Sequence, residues 1–228
     1  MTALKELFNY LFPPVCSSCK KEGEFLCKKC ISGLNISGIK PISHHPSSLE
    51  FKYLDGVIYG LDYGTNPAIK AAVRQFKYRF TKELVEYFGG LIADKLKQLR
   101  MNRGKTLVLI PVPLHRRRLH YRGFNQAELI ARSVSEKFGE RIEVRTLLKR
   151  IRHTSQQAKL SKLERQENLD SAFVIDDFEY FDNFLEGRLF FVVDDVCTTG
   201  ATLDNCAKVL KKAGVGKVYG LVVARAFK

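Results

Sequence analysis

The residues best equipped for chemistry stand together at 192–203, in the run VVDDVCTTGATL. An apolar strand delivers two adjacent carboxylates, Asp194 and Asp195, then hydroxyls and a glycine at the start of a helical pattern. In open parallel sheets ligands bind beyond the carboxyl ends of the strands, and a helix N-terminus attracts anions. Backbone N–H groups of Val196, Cys197, Thr198, Thr199 and Gly200, the hydroxyls of Thr198, Thr199 and Thr202, and the helix dipole all favour a phosphate there. Asp194 and Asp195 carry the wrong charge for that task. They suit the hydroxyls of a ribose, met directly or through Mg²⁺, and in an enzyme they would be the catalytic pair. Gly200 lets the backbone close tightly. The plainer alternative is a strand-to-helix turn in which Asp195 or Thr199 caps the helix, but two acids followed by T-T-G-x-T exceed what a cap requires. Cys197 reads as a small filler rather than a nucleophile, since nothing near it in sequence would activate a thiol.

A second constellation is C-x2-C-x7-C-x2-C, formed by Cys16, Cys19, Cys27 and Cys30, at a spacing suited to tetrahedral Zn²⁺. Two disulfides or buried free thiols are the competing readings. Four thiolates leave no open coordination position, so zinc here would be structural and would supply most of the folding energy of so short a segment. The third is PVPLHRRRLHYRGFNQ at 111–126, where Arg116, Arg117, Arg118 and Arg122 crowd one loop beyond an apolar strand, on the edge expected to carry Asp194. Such a cluster repels itself unless an anion such as pyrophosphate or DNA occupies it; a solvated charge run is the alternative. His153 reads as a surface residue, and His44 with His45 lacks a third ligand. Tyr78, Tyr121 and Phe124 lie among basic residues and could stack on bases, although aromatics at these spacings are more often core.

The secondary structure that carries these groups follows from periodicity. Thr2 could cap a short helix with Leu4, Leu7, Phe8 and Leu11 on one face, ended by Pro13 and Pro14; beyond the cysteines, Gly33, Gly38, Pro41 and Pro46 mark a linker. This divides the chain into an N-terminal helix, zinc finger and linker at 1–50 and a main domain at 51–228. Within the latter, a strand at 55–63 precedes a long helical pattern through Ile69, Val73, Phe76, Phe80, Leu84, Phe88, Ile92 and Leu96, with Gly89-Gly90 as the place to kink or split it. Strands at 106–110, 142–148, 189–193 and 217–227 alternate with helices at 125–138 and 201–213. Continuous apolar strands alternating with helices predict an α/β fold, a parallel sheet covered on both faces. The 228 residues allow one main domain and a small appendage, and a formal net charge of +14 makes polyanions natural partners. No apolar run approaches the roughly 20 residues of a membrane span, and Lys5 and Glu6 interrupt any N-terminal export signal, which places the chain in the cytoplasm.

The run at 192–203 resembles the signature of type I phosphoribosyltransferases, departing from the commonest forms at Cys197. Taken in order with the four-cysteine array and P-V-P-x4-R-x3-R-G-F-N-Q, it resembles the ComF family, of the ComFC or GntX type, over nearly the whole chain. The segment 150–168 also follows that family's R-x3-T-x2-Q-x2-L-x4-R-x2-N pattern through Arg150, Thr154, Gln157, Leu160, Arg165 and Asn168. The resemblance implies a type I phosphoribosyltransferase-like sheet with a small N-terminal zinc module, binding phosphoribosyl pyrophosphate or a similar sugar phosphate with Mg²⁺. It also implies a role in the uptake of transforming DNA as single strands, beside a ComFA-like helicase. In phosphoribosyltransferases the connection before the acidic strand is often a flap over pyrophosphate, and by that analogy Lys159, Lys162 and Arg165 would meet pyrophosphate or DNA; a solvated basic helix is the alternative.

Two functions fit. As an enzyme the chain would transfer ribose 5-phosphate to an acceptor and release pyrophosphate, with Asp194 and Asp195 steadying positive charge on the sugar ring. As a binding module it would use the same loop and arginines to hold single-stranded DNA, which the charge excess favours.

Overall fold

The computed structural model describes residues 13–32, 51–63, 67–78, 81–101, 104–151, 172–176 and 185–226. In chain order its elements are α1 (Lys28–Ser32), β1 (Gly56–Asp62), α2 (Pro67–Tyr78), α3 (Lys82–Gln98), β2 (Thr106–Pro111), α4 (Arg116–Arg122), α5 (Gln126–Phe138), β3 (Ile142–Val144), β4 (Leu148–Arg150), β5 (Phe173–Ile175), β6 (Arg188–Cys197), α6 (Ala201–Lys212) and β7 (Val218–Arg225). The continuous apolar runs pair as a five-stranded sheet in the order β1-β7-β6-β2-β3, every pair parallel. Strands covered on both faces must be apolar throughout, and Leu107, Val108, Leu109 and Ile110 of β2 and Phe191, Val192 and Val193 of β6 are completely buried. One face carries α2, α3 and α5 through Ile69, Phe76, Phe88, Ile92, Ile130 and Val134. The other carries α6 through Leu203, Ala207 and Leu210, with Leu148 and Phe173 from the antiparallel pair β4–β5. The expected α/β architecture is thus present.

Three local expectations are corrected. The long helical pattern breaks at Thr81 into α2 and α3, not at Gly89-Gly90. Those glycines lie inside α3, where a β-carbon on Gly89 would overlap Ser133 Oγ of α5, so Gly89 lets two helices approach rather than ending one. The strand expected at 142–148 is two short strands, because β3 pairs with β2 while β4 pairs with the remote β5. The stretch expected as an arginine-rich loop contains α4: the His115 side chain accepts from the Arg117 N–H (3.3 Å), and Gly123 closes the C-terminus at φ +76°.

The cysteine segment shares a core with the sheet, since Cys16, Leu26 and Cys27 join the cluster beneath α2 and α3. The Ser17 hydroxyl lies 2.6 Å from Gln75 Oε1 of α2. At the start of the main unit, Asp204 of α6 accepts backbone N–H groups from Lys52 (3.2 Å), Tyr53 (2.8 Å) and Leu54 (2.9 Å). The helix and linker expected within 1–50 and the basic segment carrying His153, Lys159, Lys162 and Arg165 lie outside the described residues, as do His44 and His45. Among the described residues no helix is long and apolar enough to cross a membrane.

Candidate functional site

Neighbouring strands β2 and β6 run parallel with Pro111 opposite Val193, so the segments beyond them emerge at one edge of the sheet. From there α5 returns over one face and α6 over the other. That divergence is the topological switch point at which open α/β sheets hold ligands.

β6 runs four residues beyond its expected end and includes both acids, Asp194 pairing with Val222 of β7. Successive side chains of a strand point to opposite faces, so the two carboxylates part company. Asp194 is on the α6 side, where its charge helps to raise the thiols of Cys197 and Cys206. Asp195 is 7% exposed and donates its N–H to Asp194 Oδ1 at 2.8 Å. A small concavity is lined by Asp194, Val196, Cys197, Thr198, Thr199, Gly200, Ala201, Thr202 and Leu203, which brings together the expected loop residues except Asp195.

The loop's shape has local and remote causes. Gly200 is the N-cap of α6 at φ +73°, a conformation costly to other residues, and it supplies no side chain to the first-turn N–H groups of the helix. Thr199 Oγ1 accepts from Ala201 N–H at 3.4 Å. Phe51 covers Gly200 so closely that a β-carbon there would overlap its ring. Cys197 is 2% exposed, and burial followed by the charge of Asp194 pushes its thiol up to about 12. The thiol is therefore protonated at neutral pH, as a packing residue should be.

The arginine cluster sits on α4, none of whose residues is buried. Asn125 anchors the segment after it: its Nδ2 donates to the Val112 carbonyl (3.1 Å) and its Oδ1 accepts from Ala127 N–H (3.1 Å), tying the β2 exit to the start of α5. Arg150, at the end of β4, was legible only as one member of a sequence pattern. Its guanidinium lies 5.3 Å from the Phe173 ring centroid. Burial, then the positive charge of Arg118, lowers its pKa, while Asp194 acts in the opposite direction. Arg150 therefore feels both Arg118 of the arginine helix and Asp194 of the loop after β6. Arg225 adds a cation that sequence reasoning missed: it stands opposite Cys197 in register, 4.4 Å over the Tyr59 ring and 3.4 Å from Asp62 Oδ2. Its only sequence signal was an arginine closing an apolar strand. Tyr121 is 86% exposed, contrary to a core reading.

At the opposite end of the described chain, the Sγ atoms of Cys16, Cys19, Cys27 and Cys30 all lie within 4.8 Å of one another. A tetrahedral ion with metal–sulfur bonds of about 2.3 Å needs separations of about 3.8 Å, and Cys19 and Cys27 stand at 3.6 Å. None of the four is in a disulfide. Turns shape the group: Cys16 N–H donates to Lys21 O (2.8 Å), Lys20 N–H to Cys16 O (3.0 Å), and Lys20 takes φ +65°. Burial opposes ionisation of Cys16, but backbone N–H groups of Cys27, Cys19 and Ser18 outweigh it and hold the thiol at about 6. At Cys30, Ser18 favours the thiolate, but desolvation and the other three cysteines prevail, leaving it at about 11. Four thiols this close ionise together only around a cation, so the donor set fits a structural metal.

Fold and site define an α/β protein with an acid-and-threonine loop at its switch point and a four-cysteine cluster, able to hold a metal ion, packed on one face. A comparison with protein-family models finds no match. The chain is 37% identical over 122 residues to Competence protein F of Haemophilus influenzae, covering 52% of this chain and 50% of that protein. It is 31% identical over 152 residues to Competence protein ComFC of Bacillus subtilis (67% of this chain, 57% of that protein), and 30% identical over 154 residues to DNA utilization protein YhgH of Salmonella typhi (67% and 65%). The chain belongs to the ComF family. The matched stretch spans between 50% and 65% of the length of these relatives.

Proposed function

We propose that the chain binds phosphoribosyl pyrophosphate or a similar sugar 5-phosphate, with Mg²⁺, in the concavity between Asp194 and Thr202, and single-stranded DNA along the arginine rim beside it, in support of DNA uptake. The observation that carries this reading is the concavity itself: a helix N-terminus whose cap residue, Gly200, has no side chain to offer, with threonines and the Asp194 carboxylate along its wall, and Arg150 near enough to feel both Asp194 and Arg118. Phosphate takes the loop, Asp194 takes the ribose hydroxyls, and the arginines take pyrophosphate or the DNA backbone. Asp195 supports the loop from the far side of the strand, and Lys159 and Arg165 are further candidates to meet pyrophosphate or DNA, by analogy with phosphoribosyltransferases. The names of the relatives, competence and DNA utilization proteins, support the DNA-uptake setting, and a ComFA-like helicase is the partner that setting suggests. The cysteine module, in an N-terminal unit that ends near residue 50, holds Zn²⁺ as a structural ion. Reduced cysteines suit the cytoplasm.

The test is a joint titration with phosphoribosyl pyrophosphate, Mg²⁺ and a single-stranded oligonucleotide. Binding of both, with the sugar phosphate lost in Asp194→Asn/Asp195→Asn, is expected; no binding of either would refute the reading. A second reading, a metabolic phosphoribosyltransferase, is favoured by the Asp194 carboxylate that lines the concavity. It requires pyrophosphate release with some base or amine acceptor that the same double substitution abolishes.

A further inference from the structure

Helix α4 is hard to explain by folding alone. It has seven residues and buries none of them, so its contribution to the core is small, and helices this short do not persist without their caps. It concentrates Arg116, Arg117, Arg118 and Arg122 with His120, and no acid occurs between residues 113 and 127. The next acid along the chain, Glu128, is paired with Arg132 at 2.7 Å. Like charges three and four residues apart destabilise a helix, so the composition is accounted for by what the surface meets. In the middle of this charge stands Tyr121, 86% exposed, with Leu119 at 42%.

Residues three and four apart are neighbours on a helix surface. Arg118 and Arg117 therefore flank the Tyr121 ring on its N-terminal side, and Arg122 continues the row from Arg118. The result is an aromatic face set among three cations. Phosphate binding alone needs only the cations; an exposed ring beside them is what a nucleobase can stack on, and only a base freed from its duplex offers that face.

We infer that α4 is the element that distinguishes single strands: Tyr121 stacks on a nucleobase while Arg117 and Arg118 hold the adjacent phosphates. The inference rests on the nucleic-acid half of the proposed function and assigns it to one helix.

Fluorescence anisotropy of the full chain with labelled single-stranded oligodeoxythymidine and with a duplex of equal length tests it. Tyr121→Ala should weaken single-strand binding roughly tenfold, leave duplex binding and the salt dependence unchanged, and be rescued by Tyr121→Phe. Arg117→Ala with Arg118→Ala should weaken both and flatten the salt dependence. Wild-type binding of the single strand that Tyr121→Ala leaves intact, or equal loss on strand and duplex, overturns the assignment to α4 while the proposed function stands. Absence of single-strand binding by the wild-type chain overturns both. Displacement of the oligonucleotide by polyglutamate from wild type and Tyr121→Ala alike assigns the helix to an acidic protein and likewise overturns it.

Discussion

Gly200→Ala probes the most constrained point of the loop between β6 and α6. Two costs arise. Alanine at φ +73° sits in the left-handed region, at roughly 1–2 kcal/mol. Its β-carbon would also overlap the Phe51 ring, and forcing an extra methyl into packed surroundings costs about 1–3 kcal/mol. Together they destabilise the fold by about 2–5 kcal/mol. The two terms separate in a double-mutant cycle, because Phe51→Ala opens the space but leaves the torsion unchanged. In that background Gly200→Ala should cost only about 1–2 kcal/mol, a coupling of about 1–3 kcal/mol. Urea unfolding, read as the midpoint at constant slope, gives each corner of the cycle. Equal costs in the two backgrounds would show that Phe51 does not seal the loop. A cost below about 1 kcal/mol in the wild-type chain would refute the torsional argument as well.

Asp204→Ala removes the acceptor of three backbone N–H groups at Lys52, Tyr53 and Leu54 and should cost about 2–4 kcal/mol in the same assay; Asp204→Asn should recover part of it. For Cys197 the thiol lies at about 12 in the fold against an ordinary value of 9.0. The unfolded chain therefore ionises first, and the stabilisation, complete below pH 9, is lost as pH rises towards 12. Cys197→Ala should accordingly gain about 2–3 kcal/mol on wild type between pH 8 and pH 11 in urea midpoints, and a constant difference would contradict the burial argument. The purified protein should contain one equivalent of Zn²⁺; Cys27→Ser should lose it and raise hydrogen exchange across residues 13–32, while exchange in β2 and β6 changes little.

Several parts of this molecule are legible in its residues alone. The runs TLVLI and LFFVV are apolar at every position because their strands are covered on both faces, and burial alone writes that pattern. The spacing of Cys16, Cys19, Cys27 and Cys30 announces a shared ligand set because two short C-x-x-C turns each bring a pair of thiols together. The switch between acids, threonines and glycine at 194–202 announces a polar strand-to-helix loop for the same reason: its pattern is local.

What stayed hidden depends on partners far along the chain. His115 is not among the preferred helix caps, so α4 reads as a loop until its side chain is seen accepting from Arg117. Gly89 suggested a kink because a sequence does not show Ser133 pressing against it. Phe51 closes the loop at Gly200, and Asp194 acts on the charge of Arg150, through proximities that no periodicity encodes. Residue types and spacing determined which groups this protein could offer at the loop and at the cysteine cluster, because those depend on neighbours in sequence. Which carboxylate faces the concavity, which ring seals it and which arginines share its edge were decided by strand register and by packing between remote segments, which only the folded chain brings together.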